Sequence, residues 1–181
     1  MENIIELTKK ERLVFINQLI IMEMLNPDDA CKSARDREAL ECGYVYEYND
    51  LFHSMDEELS YDKCKEVHDI LDMYRVITKS LQELPDSPLN EHLRAKFRGF
   101  DGNNEAKFMC YVDYIVNRLD RYVELKEGAK SFDSNSHCPM LEQYRDMLVI
   151  WESVKSDVNF MWGTMTEPQI AKILGKDPSL P

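Results

Sequence analysis

The chain predicts an all-α fold, a single-domain bundle of about seven or eight helices over residues 1–181. Three observations carry that prediction. Only six Gly and seven Pro punctuate 181 residues, so few positions break a helix. Apolar residues recur at spacings of three and four rather than two. Two capping boxes, Thr8 with Glu11 and Thr166 with Gln169, mark helix starts at opposite ends of the chain.

The first box opens a helix that runs to about Leu25 through Leu13-Val14-Phe15-Ile16 and Leu19 to Met22. Placed at about 100° intervals, its polar residues Glu11, Arg12, Asn17, Gln18 and Glu23 scatter among apolar neighbours. Such a helix is either the central helix of the bundle or half of a subunit interface. Asn26-Pro27-Asp28-Asp29 reads as an N-cap, a first-turn proline and acids at the positive end of a second helix. That helix runs to about Cys42, where Gly43 supplies the C-terminal cap, and its stretch from Lys32 to Glu38 is an exposed face. Tyr44, Tyr46 and Tyr48 alternate as in a strand, but their polar surroundings and the lack of a partner strand favour a helix.

Ser60 caps a long helix in which Cys64, Val67, Leu71, Tyr74, Thr78 and Leu81 form one stripe, ending near Leu84. After the Pro85 to Pro88 turn, Leu89 to Phe97 has room for two helical turns. Gly99 then introduces a further helix whose apolar side runs from Phe108 through Met109, Val112, Ile115, Val116 and Leu119 to Val123. Lys126 to His137 is polar and reads as a mobile loop. Pro139 opens a helix with Met140, Tyr144, Met147, Leu148, Trp151 and Val154 on one side, and Thr166 opens a last one that stops at Gly175.

Charge and cysteine usage narrow the function. Against 34 acidic residues stand 22 basic ones, a net charge of −12 that repels phosphate backbones and anionic lipid. Nucleic acid and membranes are therefore not the expected partners. No run of about 18 apolar residues occurs, and the amino terminus lacks a basic-then-apolar leader pattern. Five cysteines, an odd count without C-x-x-C spacing, read as reduced thiols, so a cytoplasmic protein is expected.

Chemistry is sparse. The sequence holds no phosphate-binding glycine loop, no H-E-x-x-H and no G-x-S-x-G, and no cofactor or metal is expected. Cys64, His68 and Asp72 fall at i, i+4 and i+8, but no second motif completes a metal site. His137-Cys138 are neighbours in sequence, which seldom lets two side chains face each other as base and nucleophile.

Asp101 and Glu105 are the pair of interest. Glu105 points along the same direction as the apolar stripe that follows it, so its carboxylate faces inward and must find donors. In one reading Asp101, Glu105 and Tyr111 line a small-ligand or enzymatic pocket, with Arg98 or Arg118 orienting an anion. In the structural alternative Asp101 or Gly102 caps the helix, while Glu105 binds free amides or pairs with Arg94 or Arg98.

With these residues in view, the chain resembles the YfbU family, a bacterial and archaeal group of small all-helical proteins. The resemblance rests on the apolar helix ending before Asn26-Pro27, on Gly43-Tyr44, and on Asp69-Ile70 with Met73-Tyr74. It rests most specifically on Gly99-Phe100-Asp101 with Glu105-Ala106, and on Pro139-Met140, Tyr144, Met147-Leu148 and Trp151. It implies a compact helical fold and self-association, and it carries over no catalytic residue. The combined expectation is a non-enzymatic cytoplasmic protein that works through protein contacts, as a homo-oligomer and with an unidentified protein partner.

Overall fold

The computed structural model describes residues 5–126, 128–155 and 163–175. Among them lie seven α-helices and no β-strand. The helices are α1 Lys9–Leu25, α2 Ala30–Cys42, α3 Tyr48–Phe52, α4 Tyr61–Gln82, α5 Ala106–Asp113, α6 Leu141–Val154 and α7 Glu167–Leu174. The all-α prediction stands. The chain's contacts gather in two compact units, Met1–Glu58 and Leu59–Pro181.

In the first unit, α1 starts at the expected capping box, with Glu11 N–H donating to Thr8 Oγ1 and Thr8 N–H to Glu11 Oε2. It packs on α2, to which the 3-10 turn Pro27–Asp29 connects it. Asn26 does not cap α2. Its N–H still donates to Met22 O, so it closes α1, and its side-chain amide turns to Asp29 Oδ2 at 2.7 Å. Arg12 Nη1 donates to Leu40 O at 2.9 Å and Arg37 pairs with Glu23 at 2.8 Å, which ties the two helices along their facing sides. Leu40 and Tyr48 are buried, and Phe15 meets Phe52 edge-on at 5.6 Å. Gly43 ends α2 in the left-handed region, and Val45–Glu47 and α3 make the tyrosine-rich segment helical, as expected.

The second unit is built around α4, capped by Ser60 and buried along Val67, Ile70, Leu71, Tyr74, Ile77 and Leu81. α5, α6 and the 3-10 turn Val123–Lys126 pack against α4, and α7 packs on α6. Tyr74, Phe97, Phe100 and Tyr144 form an aromatic cluster with ring centroids 5.3–5.9 Å apart. The carboxyl-terminal box at Thr166 and Gln169 is present and α7 stops at Gly175.

Two expectations change. Leu89 to Phe97 is not a two-turn helix: only the 3-10 turn Pro88–Glu91 forms. Beyond it the backbone is committed elsewhere, with Arg94 O accepting from Tyr74 Oη at 3.2 Å and Phe97 inserted into the aromatic cluster. The stripe from Phe108 to Val123 is also interrupted. After α5, Tyr114–Arg118 winds as a π-helical turn in which Leu119 N–H reaches back to Tyr114 O. The wider turn shifts the helical register, and Leu119 and Val123 emerge 40% and 51% exposed.

The Lys126 to His137 loop is pinned at its far end. Ser134 and Ser136 are buried, Phe100 N–H donates to Ser134 O at 2.9 Å, and Ser136 N–H returns to Phe100 O at 3.1 Å. Gly99 makes that approach possible: its φ is +82°, and a Cβ there would lie 2.2 Å from Ser134 O.

Candidate functional site

Glu105 sits in the turn that leads into α5 and is 8% exposed. Its carboxylate faces inward, as the stripe requires, and the donors it finds are backbone amides. Asp101 N–H donates to Oε2 at 2.9 Å, Leu141 N–H to Oε1 at 2.8 Å, and Met140 N–H lies 3.0 and 3.1 Å from the two oxygens. Met140 and Leu141 are the start of α6, which has no side-chain cap from its own N-cap residue. Glu105 therefore supplies the missing acceptor and a negative charge at the positive end of that helix's dipole.

Asp101, 2% exposed, holds the same turn from the other side. Its carboxylate accepts from Asn103 N–H at 3.4 Å, from Asn104 N–H at 3.2 Å and from the Asn104 side-chain amide. The Asn104 amide, foremost, lowers the Asp101 pKa; burial opposes it, and the two backbone amides and nearby His137 add to the lowering. The turn is thus a capping device made of two carboxylates, one serving the turn before α5 and one serving α6.

The structure divides the five residues that the sequence grouped. Asp101 and Glu105 meet directly. Arg98 is an exposed residue whose N–H donates to Tyr144 Oη at 3.3 Å, and Arg118 has a side chain 74% exposed and pairs with Asp113 at 3.6 Å. Arg94 turns to the end of α7, donating from Nη1 to Leu174 O at 3.2 Å. Tyr111 belongs to a different group of side chains.

That second group is a hydrogen-bonded chain along one edge of α4. Tyr122 Oη donates to Asp72 Oδ1 at 2.8 Å, and His68 Nδ1 lies 3.2 Å from Tyr122 Oη. An ionised carboxylate only accepts, so the Tyr122 proton lies toward Asp72 and the Tyr122 oxygen accepts from His68 Nδ1–H. His68 Nε2 is then free to accept from Tyr111 Oη, 3.2 Å away. The Arg75 guanidinium covers the Tyr122 ring at 4.0 Å and donates to Glu124 at 2.5 Å. Burial, followed by the Asp72 hydrogen bond, raises the Tyr122 pKa well above its ordinary value; burial and then Cys64 raise that of Tyr111.

Tyr122 has a φ of +55°, a conformation that costs a non-glycine residue and persists only where its surroundings fix it. The line Cys64, His68, Asp72 is real as one edge of α4, yet it holds no metal geometry. Cys64 Sγ donates to Leu59 O, and no group of three or more His, Cys, Asp or Glu fit to hold a metal occurs among the described residues. Tyr122 is the member that sequence reasoning missed. It lies near the end of the Gly99 to Val123 stretch, beyond the π-turn, and its hydroxyl reaches Asp72 on α4.

A cleft of about 470 Å³ in this unit is lined by residues of α4, of the segment from Asn90 to Lys96 and by Glu124, the acceptor of Arg75. In the first unit, an apolar hollow of about 240 Å³ lies among Phe15, Leu19, Leu40, Leu51 and Phe52. No described helix is long and apolar enough to cross a membrane.

A family model described as the YfbU domain matches residues 5–174. Since that match takes in nearly all of the 181 residues, the chain belongs to the YfbU family.

Proposed function

We propose that the chain works through protein–protein contacts as a homo-oligomer, with α1 as its contact surface. One observation supports this reading above the others. No residue of the 17-residue α1 is buried, although the helix is apolar on two opposite sides. One side, with Phe15, Ile16, Leu19 and Ile20 half-buried, lies toward α2. The other leaves Leu13, Val14, Ile21, Met24 and Leu25 exposed, Met24 and Leu25 at 75% and 78%. A soluble helix with a second apolar side gains by covering it, and a contiguous exposed patch of this kind marks an interaction surface.

The alternative, a small-ligand or enzymatic pocket around Asp101 and Glu105, finds less support, because Glu105 accepts from backbone amides and Asp101 from its own turn. Light scattering on the full chain at micromolar concentration tests the proposal. The expected mass is a multiple of 21.3 kDa, and Val14→Glu with Ile21→Glu should return it to a single chain with helix content unchanged. A wild-type chain that stays monomeric and soluble would count against it.

A further inference from the structure

We infer that Tyr111 is a nucleophilic phenol with His68 as its base, and that it takes up the acyl group of an activated ester. The inference concerns the second unit alone and stands apart from the α1 surface. Every donor in the hydrogen-bonded chain along α4 points one way: Tyr111 Oη to His68 Nε2 at 3.2 Å, His68 Nδ1 to Tyr122 Oη at 3.2 Å, and Tyr122 Oη to Asp72 Oδ1 at 2.8 Å. Asp72 fixes that direction, because a carboxylate at the far end only accepts. The ring nitrogen left without a proton is therefore the one that faces Tyr111. A hydroxyl, a base within hydrogen-bond reach and a third group that orients the base are the parts of an activated nucleophile.

The orienting end is held firmly. Tyr122 is 6% exposed and keeps a φ of +55°, and Arg75 covers its ring at 4.0 Å while pairing with Glu124. Backbone strain kept at a buried residue is a mark of a preorganised site. At the other end Tyr111 is half-buried rather than enclosed. Burial and then Cys64 raise its pKa, so the phenol stays protonated at neutral pH. It attacks only as His68 takes its proton, which is how a serine hydroxyl is used beside a histidine.

In the step itself, Tyr111 Oη attacks the carbonyl carbon of the ester while its proton passes to His68 Nε2. The bond from that carbon to the leaving oxygen then breaks, the leaving group departs with the proton, and the acyl group stays on Tyr111 Oη as a phenyl ester. Asp72, acting through Tyr122, opposes the positive charge that His68 carries meanwhile. Arg121, whose charge acts on the Tyr111 phenol, favours the oxyanion that forms. An ester carbonyl is uncharged, whereas a phosphoryl donor would meet Asp72, Glu124 and a net charge of −12.

Labelling with p-nitrophenyl acetate tests the inference. The full chain is treated for a limited time and its acetyl groups are located by peptide mass spectrometry, with Tyr46 and Tyr61, 87% and 80% exposed, as internal references. Tyr111 should be acetylated about tenfold faster than either. His68→Gln, which can hold the hydrogen bond but not the proton, should remove that excess. Tyr122→Phe should slow Tyr111 about tenfold in the otherwise unaltered chain and have no further effect beside His68→Gln; slowing in both backgrounds overturns the relay. Helical dichroism is followed for each variant, and if His68→Gln loses it, Tyr122→Phe alone decides, an unslowed Tyr111 counting against the inference. An acetyl group on Cys64 in place of Tyr111, labelling of Tyr111 no faster than of Tyr46, or an excess that survives in folded His68→Gln overturns it.

Discussion

Glu105 acts on the amino end of a helix to which it does not belong. Its inward direction was legible, because the stripe that begins at Phe108 surrounds it on a helical projection. Its partners were not: Met140 N–H lies 35 residues further along the chain, and no local pattern specifies that meeting. The same limit hides Tyr122, whose hydroxyl meets His68 across 54 residues. Spacing along one helix finds the line Cys64, His68, Asp72, but the chain crossing that line depends on a turn that periodicity does not encode. The Glu105 role makes a definite prediction. Glu105→Gln preserves size but replaces one acceptor oxygen with an NH₂ that faces amide donors. Stability should fall by about 2–3 kcal/mol, the cost of leaving buried donors unsatisfied. Urea unfolding followed by circular dichroism measures it, and a loss below about 0.5 kcal/mol would show that the amides find water instead.

Elements with their signals inside their own segment were readable. Thr8 with Glu11, Ser60, Gly43, and Thr166 with Gln169 each place a helix end where the structure has it. Elements defined by what packs on them were not. Leu89 to Phe97 has ordinary helical composition, yet Phe97 stacks on Phe132 at 5.5 Å and the backbone turns to deliver it. The π-turn at Tyr114–Arg118 likewise has no breaker residue to announce it, although it carries the buried Ile115 and Val116. The segment 131–136 is the extreme case, polar enough to read as mobile but docked on the backbone of Phe100. Its docking depends on Gly99. Gly99→Ala places a methyl 2.2 Å from Ser134 O at a φ of +82°, so the segment must move off or the turn must open. The expected loss is at least about 2 kcal/mol, combining left-handed strain with the displaced contact. Amide exchange should show it first at Phe100 and Ser136, whose N–H groups make the two bridging bonds.

At the scale of the molecule, the second unit carries three buried tyrosines whose phenols resist ionisation. Burial raises the pKa of Tyr74, of Tyr122 and of Tyr144, in each case as the first cause. Each hydroxyl is also engaged: Tyr74 with Arg94 O, Tyr122 with Asp72, and Tyr144 with Gly99 O at 2.9 Å. The consequence for stability has one sign. In the unfolded chain these groups lose their protons near the ordinary tyrosine value of about 10, whereas the native state keeps them protonated. Between that value and the raised native ones the unfolded chain binds fewer protons, so native stability, complete below about pH 10, falls as pH rises. A net charge of −12 at neutral pH adds self-repulsion in the same direction as further negative charge accumulates. Alkaline titration should therefore show a portion of the tyrosinate absorbance appearing only together with the loss of helical dichroism. Tyr144→Phe should remove part of that coupled step while it lowers stability at neutral pH, because Gly99 O and Arg98 N–H lose their partner. If all nine tyrosines ionise in one phase before the dichroism changes, the phenols of the core reach water in the native state and the core around α4 is looser than its packing implies.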